Sequence, residues 1–225
     1  MTYPEAVLFD LDGTLADSLP DIAGALNDLL AEQGWRRCTM DEMRLMVGGG
    51  VPKLIERALR VLGEAVSEER FAGLVSRFME LYTPRAAELT RLNPGAMELL
   101  RQLKGDGVRL GVCTNKPEAV TLDILKVLGV LDMLGAVVGG DTTPVKKPDA
   151  APVLAALAQL GCPPERALLI GDSPADAGAA RAAGVPVILV SFGYTQTPVE
   201  QIDADGVVDS FGDVPAILNQ MAFPA

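Results

Sequence analysis

Two carboxylates, Asp10 and Asp12, stand two residues apart at the end of an apolar run, Ala6-Val7-Leu8-Phe9, and Gly13 and Thr14 follow at once. Taking a carboxylate out of water costs on the order of several kcal/mol unless it is paired or bound to a cation, so two acids closing a buried strand point to chemistry. A calcium loop does not fit. The flank is strand-like, the glycine of such a loop would fall at Leu15, and its twelfth position is Asp21 rather than Glu. The chemistry that does fit is magnesium-assisted phosphoryl transfer. One carboxylate attacks phosphorus, the other handles the proton of the leaving group, and a bound cation removes the repulsion between carboxylate and phosphate.

Three further groups have the same placement. Thr114-Asn115-Lys116 ends the apolar run Val108–Cys113; a hydroxyl and an amide before a helix N-terminus can hold phosphoryl oxygens, although Thr and Asn also cap helices routinely. Lys146-Lys147-Pro148-Asp149 offers a lysine that can neutralise a phosphate and an attacking carboxylate, or a solvated loop charge. Leu168-Leu169-Ile170-Gly171-Asp172-Ser173-Pro174-Ala175-Asp176 again ends an apolar run on an acid; Pro174 fits a first helical turn, and Asp176 fits a helix start. Each is ordinary alone. Together they fall at the carboxyl ends of expected strands, so one sheet edge gathers them all.

The elements that position them are short apolar strands, at Ala6–Phe9, Val108–Cys113, Ala136–Val138, Ala167–Ile170 and Val185–Val190. Helical patterns alternate with them, at Gly95–Lys104, Glu118–Leu128, Ala150–Leu160 and Ala175–Ala183, closed by Gly105, Gly129, Gly161 and Gly184. This alternation predicts an α/β fold with a Rossmann-like parallel sheet. One connection is too long for a simple crossover. Between the first two strands the sequence reads as helices at Asp21–Gln33, after a Thr39-x-x-Glu42 capping box, at Val51–Leu62, and at Glu68–Tyr82 behind Ser67. Residues 17–83 are expected to form an inserted α-helical cap domain above the strand ends, and residues 1–16 and 84–225 the core.

Composition narrows the chemistry further. The 225-residue chain carries a net charge of −11, which argues against nucleic acid and anionic membrane surfaces. No apolar run approaches a membrane span, and Met1-Thr2-Tyr3-Pro4-Glu5 has no basic stretch of a signal peptide. Cys38, Cys113 and Cys162 are odd in number and far apart, against a disulfide framework and in favour of a reducing, cytoplasmic setting. The absence of histidine removes His-dependent triads and nearly all zinc hydrolase sites, leaving carboxylates, lysine, tyrosine or cysteine for acid–base work and an oxygen-rich metal site. Oligomeric state is not legible at this level.

The joint pattern resembles the haloacid dehalogenase superfamily of phosphotransferases, over essentially the whole chain and in the subgroup with a helical cap. The resemblance matches Asp10-x-Asp12-Gly13-Thr14, Thr114, Lys147 and Gly171-Asp172-Ser173-x-x-Asp176 to the four family motifs. It implies that Asp10 is the nucleophile and forms an aspartyl-phosphate, and that Asp12 protonates the leaving alkoxide and then activates water. Thr114 and its surroundings, including Asn115, bind the phosphoryl group. Lys147, rather than Lys146, stabilises the charge on Asp10 and phosphate. Asp10, Asp172 and the carbonyl of Asp12 hold Mg2+. Asp176 is implied to support the site or start its helix.

For the substrate, a small phosphorylated metabolite, Val47-Gly48-Gly49-Gly50 leading to Leu54, Arg57 and Ala58 is similar to the cap of phosphoglycolate phosphatases, as is Val190-Ser191-Phe192-Gly193-Tyr194. Relatives acting on N-acetylmuramic acid 6-phosphate, sugar phosphates or pyrophosphate share much of this. A sugar phosphomutase would use the same two aspartates. A receiver-like regulatory domain would be shorter and uncapped. The glycine run is either an anion nest or a flexible link, and Lys53 and Arg57 either reach an anionic substrate or are solvated. Cys38-x5-Arg44 has the spacing of a cysteine phosphatase loop, but Asp41 and Glu42 would repel phosphate.

Overall fold

Apolar residues that alternate along each strand divide between the two faces of one parallel sheet. In β1 (Ala6–Phe9), Val7 and Phe9 join the large apolar cluster on one side, while Ala6 and Leu8 join the smaller one on the other. The computed structural model describes residues 3–224; residues 1, 2 and 225, assigned above to the core, lie outside the described part. Among the described residues the sheet has six strands. Flanking β1 are β4 (Arg109–Cys113) and β6 (Ala167–Gly171), beyond β4 lies β5 (Ala136–Val138), and beyond β6 lie β7 (Val187–Val190) and β8 (Gly206–Val208). All neighbours run parallel, with Phe9 level with Val112 on one side and Ile170 on the other. The chain moves outward from β1 in one direction and then returns to build the other. That makes β1 the switch point of the sheet, and the crevice beyond its carboxyl end the natural ligand site.

Helices cover both faces. On the side of the larger cluster, α5 (Ala96–Gly105) and α6 (Glu118–Val127) contribute Leu99, Leu100, Leu103 and Ile124. On the other, α7 (Ala151–Leu160) and α8 (Pro174–Ala183) contribute Val153, Leu157 and a row of alanines. A short α9 (Val214–Leu218) packs near the end of the chain. The strands and helices expected from the sequence lie within two residues of their expected bounds. Gly105 is the last helical residue of α5, and the left-handed turn falls to Gly107. The edge strand β8 was not anticipated.

The long first connection holds α1 (Leu19–Glu32), α2 (Met40–Arg44), α3 (Val51–Leu62) and α4 (Glu68–Tyr82). The expected caps are present. Thr39 Oγ1 accepts from the Glu42 N–H while the Glu42 carboxylate accepts from the Thr39 N–H, and Ser67 Oγ accepts from the Arg70 N–H. Where the chain leaves and rejoins the sheet layer, β2 (Ala16–Asp17) and β3 (Arg91–Leu92) pair antiparallel, a ribbon that was not expected from the sequence. Asp21, fully buried in the first turn of α1, accepts from the Leu89 and Thr90 N–H groups and the Thr90 hydroxyl, so the two crossings are fastened side by side.

Candidate active site

The carboxyl ends of β1, β4 and β6 deliver Asp10, Thr114 and Asp172 into one cavity of about 250 Å3, which Asp12, Asn115, Lys116 and Lys147 also line. The turn after β1 depends on Gly13. Its φ is +82°, and a Cβ there would lie 2.4 Å from Asp172 Oδ2 and 3.0 Å from the Tyr194 ring. Only a glycine lets this turn close against the acid at the end of β6.

Lys147 is the hub. Its side chain is 1% exposed, and its ammonium donates to Asp176 Oδ1 at 2.6 Å and the Cys113 carbonyl at 2.7 Å, while lying 3.1 Å from Asp10 Oδ1. All three of its donors are thereby engaged. Burial works against its charge, but Asp10 and Asp176 hold its pKa above the usual lysine range. Lys146, by contrast, is exposed. Asn115 lines the cavity, yet its amide is engaged with the Lys147 backbone in both directions: Nδ2 donates to the carbonyl at 3.0 Å and Oδ1 accepts from the N–H at 3.0 Å. It fixes the loop that presents the lysine.

Burial pushes the Asp10 carboxyl up to about 6; Lys147 opposes this, Asp176 and Asp12 add to it, and the Thr114 hydroxyl lowers it. Asp10 Oδ1 also accepts from the Leu11 N–H at 2.7 Å. Asp172 is raised well above the carboxylate range, first by burial and then by Asp176 and Asp10; the Tyr194 N–H, 2.7 Å from its Oδ2, works the other way. Asp176 is fully buried and starts α8. It takes the Asp172 N–H, the Ser173 N–H and the Ser173 hydroxyl on Oδ2, so it both caps the helix and orients Lys147.

Oxygens of Asp10, Asp172 and Asp176 lie within 4.8 Å of one another, a grouping able to hold a metal ion. The Asp12 carboxylate is outside it. That group is held by Ser18 Oγ at 2.5 Å and by Lys116, whose ammonium donates to both carboxylate oxygens at 2.8 and 2.9 Å. Sequence reasoning named Lys116 only as part of the Thr114-Asn115-Lys116 run and gave it no role; its burial against Asp12 marks it out. Its ammonium lies 4.8 Å from the centroid of the Tyr82 ring. The Tyr82 hydroxyl is buried and meets no partner at hydrogen-bonding geometry, although Lys116 is near enough to act on it.

The helical insert supplies the far wall through Ile22, Val47–Val51, Leu54, Phe78 and Tyr82. Arg57 lines it too, with Nη1 spent on the carbonyls of Met46, Val47 and Gly48 at 2.9, 3.1 and 2.8 Å, so it holds the glycine loop in place. Lys53 pairs with Glu56 on the surface. Cys38 is buried against α1, where burial raises its thiol, and Arg44 sits over the Tyr194 ring, 5.4 Å from its centroid, so no cysteine phosphatase loop forms.

A model of the haloacid dehalogenase-like hydrolase family matches residues 7–190. A phosphoglycolate phosphatase of Caulobacter vibrioides is 45% identical over 209 residues, covering 93% of this chain and 88% of that protein. The crystal structure of a predicted phosphoglycolate phosphatase from Haemophilus somnus 129PT superposes with a TM-score of 0.90 at 32% identity, covering 96% of this chain and 99% of that one. That of CbbY from Rhodobacter sphaeroides in complex with phosphate superposes with a TM-score of 0.81 at 30% identity, with 96% and 99% covered.

Proposed function

The chain belongs to the haloacid dehalogenase-like hydrolases, and from that premise we propose that it is a magnesium-dependent phosphatase that hydrolyses 2-phosphoglycolate to glycolate and phosphate through an aspartyl-phosphate. The observation that carries this reading is the convergence of Asp10, Asp12, Thr114, Lys147 and Asp172 on one small cavity at the switch point of the sheet. The substrate follows from the relatives' named activity and from a cavity sized for a small ester.

The residues present suit a divalent cation. Asp10, Asp12, Asp172 and Asp176 set four carboxylates against the two ammonium groups of Lys116 and Lys147, and the phosphate of a substrate adds more negative charge. A third buried cation beside these two would offset the excess, and an all-oxygen donor set suits magnesium. Asp10, Asp172 and the main-chain carbonyl of Asp12 would hold it, and when bound it supplies positive charge to the phosphoryl oxygens and to Asp10.

This chain's own groups do the rest. With Asp10 Oδ1 held by Leu11 and Lys147, Oδ2 attacks phosphorus. Thr114 and Lys147 take up the charge of the transferring group, with Lys147 kept in place by Asp176 and Asn115. Asp12 gives a proton to the glycolate oxygen and then takes one from the water that cleaves the aspartyl-phosphate; Ser18 and Lys116 orient it for both steps. The helices of residues 17–83 act as a cap that closes over the ester and excludes bulk water during attack. The three free thiols accord with a reducing, cytoplasmic setting. No helix among the described residues is long and apolar enough to cross a membrane.

The test is phosphate release from 2-phosphoglycolate, N-acetylmuramic acid 6-phosphate, glucose phosphates and pyrophosphate, with magnesium and with EDTA. The highest kcat/KM is expected for 2-phosphoglycolate, lost with EDTA. A higher value for another ester would overturn the substrate, and turnover unaffected by EDTA would overturn the metal.

A further inference from the structure

We propose that Lys116 and Tyr82 form a second anion subsite that receives the carboxylate of the substrate, so that the enzyme selects phosphate esters bearing an acid group one carbon from the ester oxygen. This deepens the phosphatase reading given above and rests on it. Tyr82 has no part in the phosphoryl-transfer steps given above, and the part of Lys116 there is confined to holding Asp12. Both line the cavity, Lys116 from the loop after β4 and Tyr82 from the last turn of α4.

The first support is a buried charge on the cavity wall. The Lys116 side chain is 4% exposed, and its ammonium donates to the two oxygens of Asp12 and lies beside the Tyr82 hydroxyl. The second is an orphaned hydroxyl. Tyr82 is 2% exposed, its ring is stacked on Phe78, and among the described residues its O–H meets no acceptor, the Lys116 ammonium beside it being a donor only. A buried hydroxyl left unpaired is unfavourable, and an acceptor that arrives with a ligand relieves it. A buried ammonium and a phenolic O–H without an acceptor meet at one point of the cavity wall, and a carboxylate suits both, taking the O–H as its donor and the ammonium as its counter-charge.

The location agrees with the chemistry of the ester. Asp12 contacts the oxygen that leaves with glycolate, and Lys116 is 2.8 Å from Asp12. The carboxylate of a 2-phospho acid is separated from that oxygen by one carbon, so it comes within reach of the same ammonium. An alkyl ester would put a methyl group there, and the tyrosine O–H would stay without an acceptor while the lysine kept only Asp12. Sites built to bond a polar group reject analogues that lack it by this route.

The experiment compares 2-phosphoglycolate with ethyl phosphate, whose methyl group replaces the carboxylate. In the magnesium-loaded enzyme, Lys116→Met is expected to lower the kcat/KM ratio of acid to neutral ester by about 10- to 100-fold, and Tyr82→Phe by about 3- to 10-fold, mainly through KM. Tyr82→Phe removes only an unpartnered oxygen, so its melting temperature is expected to match or exceed that of the wild type. Binding of the two esters to Asp10→Asn, with and without Lys116→Met, reads the same ratio without turnover. An equal loss on both esters would make Lys116 a support for Asp12 alone and overturn the subsite, as would wild-type indifference between acid and neutral ester. If turnover favours a different phosphomonoester while Asp10→Asn still prefers the acid ester through Lys116, the substrate reading fails and the subsite stands.

Discussion

Asp10 carries its charge at a site where burial opposes it, and this has a measurable consequence for stability. Its carboxyl titrates at about 6 in the folded chain without metal, against 3.8 as the ordinary value. The folded state therefore holds the proton more tightly than the unfolded chain. The stability linked to that proton is fully present below about pH 3.8 and is lost as pH rises through about 6. Asp10→Asn carries no such charge, and Lys147 keeps Asp176 as its partner. In chelator, the variant is expected to gain about 1–3 kcal/mol on the wild type between pH 4 and pH 7, with magnesium narrowing the gap. Thermal melts of both proteins across that range check this, and a gap that does not change with pH would contradict it. At this scale the sequence was informative where a residue type is costly in its context. Asp10, Asp12 and Asp172 end buried strands, and that anomaly is visible without coordinates. The role of Lys116 was missed because a lysine at a helix start is common, and its burial against Asp12 and Tyr82 arises only when β1, β4 and α4 are brought together.

The elements fix these residues through a few fastenings outside the cavity. Asp21 ties the start of α1 to Leu89 and Thr90, just ahead of β3. Asp21→Ala takes their acceptor from the buried Thr90 N–H and the part-buried Leu89 N–H, while the Thr90 hydroxyl keeps the Ala86 carbonyl, and is expected to cost about 1–3 kcal/mol in chemical denaturation; a loss below about 0.5 kcal/mol would show that water replaces the carboxylate. The loop after β7 is a second fastening. The Tyr194 N–H reaches Asp172, its hydroxyl bonds Asp17 and accepts from the Leu19 N–H, and Gln196 bonds the Leu45 carbonyl just after α2. One loop thus touches Asp172, the crossing ribbon and the helical insert. The buried strands were legible because continuous apolar runs bounded by turns have few alternatives. The β2–β3 ribbon was not, since each strand is two residues long and exists only through its partner. Nor was β8, a three-residue edge strand whose Val207 is exposed and whose sequence carries little periodicity.

At the scale of the molecule, a chain of net charge −11 is arranged to receive an anion. It does so by burying Lys116 and Lys147 at the switch point of the sheet and surrounding them with carboxylates that call for a cation. The long insert and the order of the four motifs made the architecture legible early; the extent of contact between insert and sheet did not follow from the pattern. The apolar side chains of α1 and α4 are continuous with the larger core cluster beside the sheet, so closure has to slide or rotate this layer rather than lift it free. Crystal structures with and without a bound phosphate analogue are expected to differ in the placement of α1–α4 over the strand ends, pivoting at the β2–β3 ribbon; identical placement would contradict closure. The central claim is that phosphate passes through Asp10. The most direct measurement is to quench the magnesium-loaded enzyme during turnover of 2-phosphoglycolate and map the phosphorylated peptide by mass spectrometry, with Asp10→Asn as the control. A phosphoryl group on Asp10, absent from the variant, is the expected result. Rapid turnover with no adduct on Asp10, or undiminished turnover by Asp10→Asn, would contradict the account.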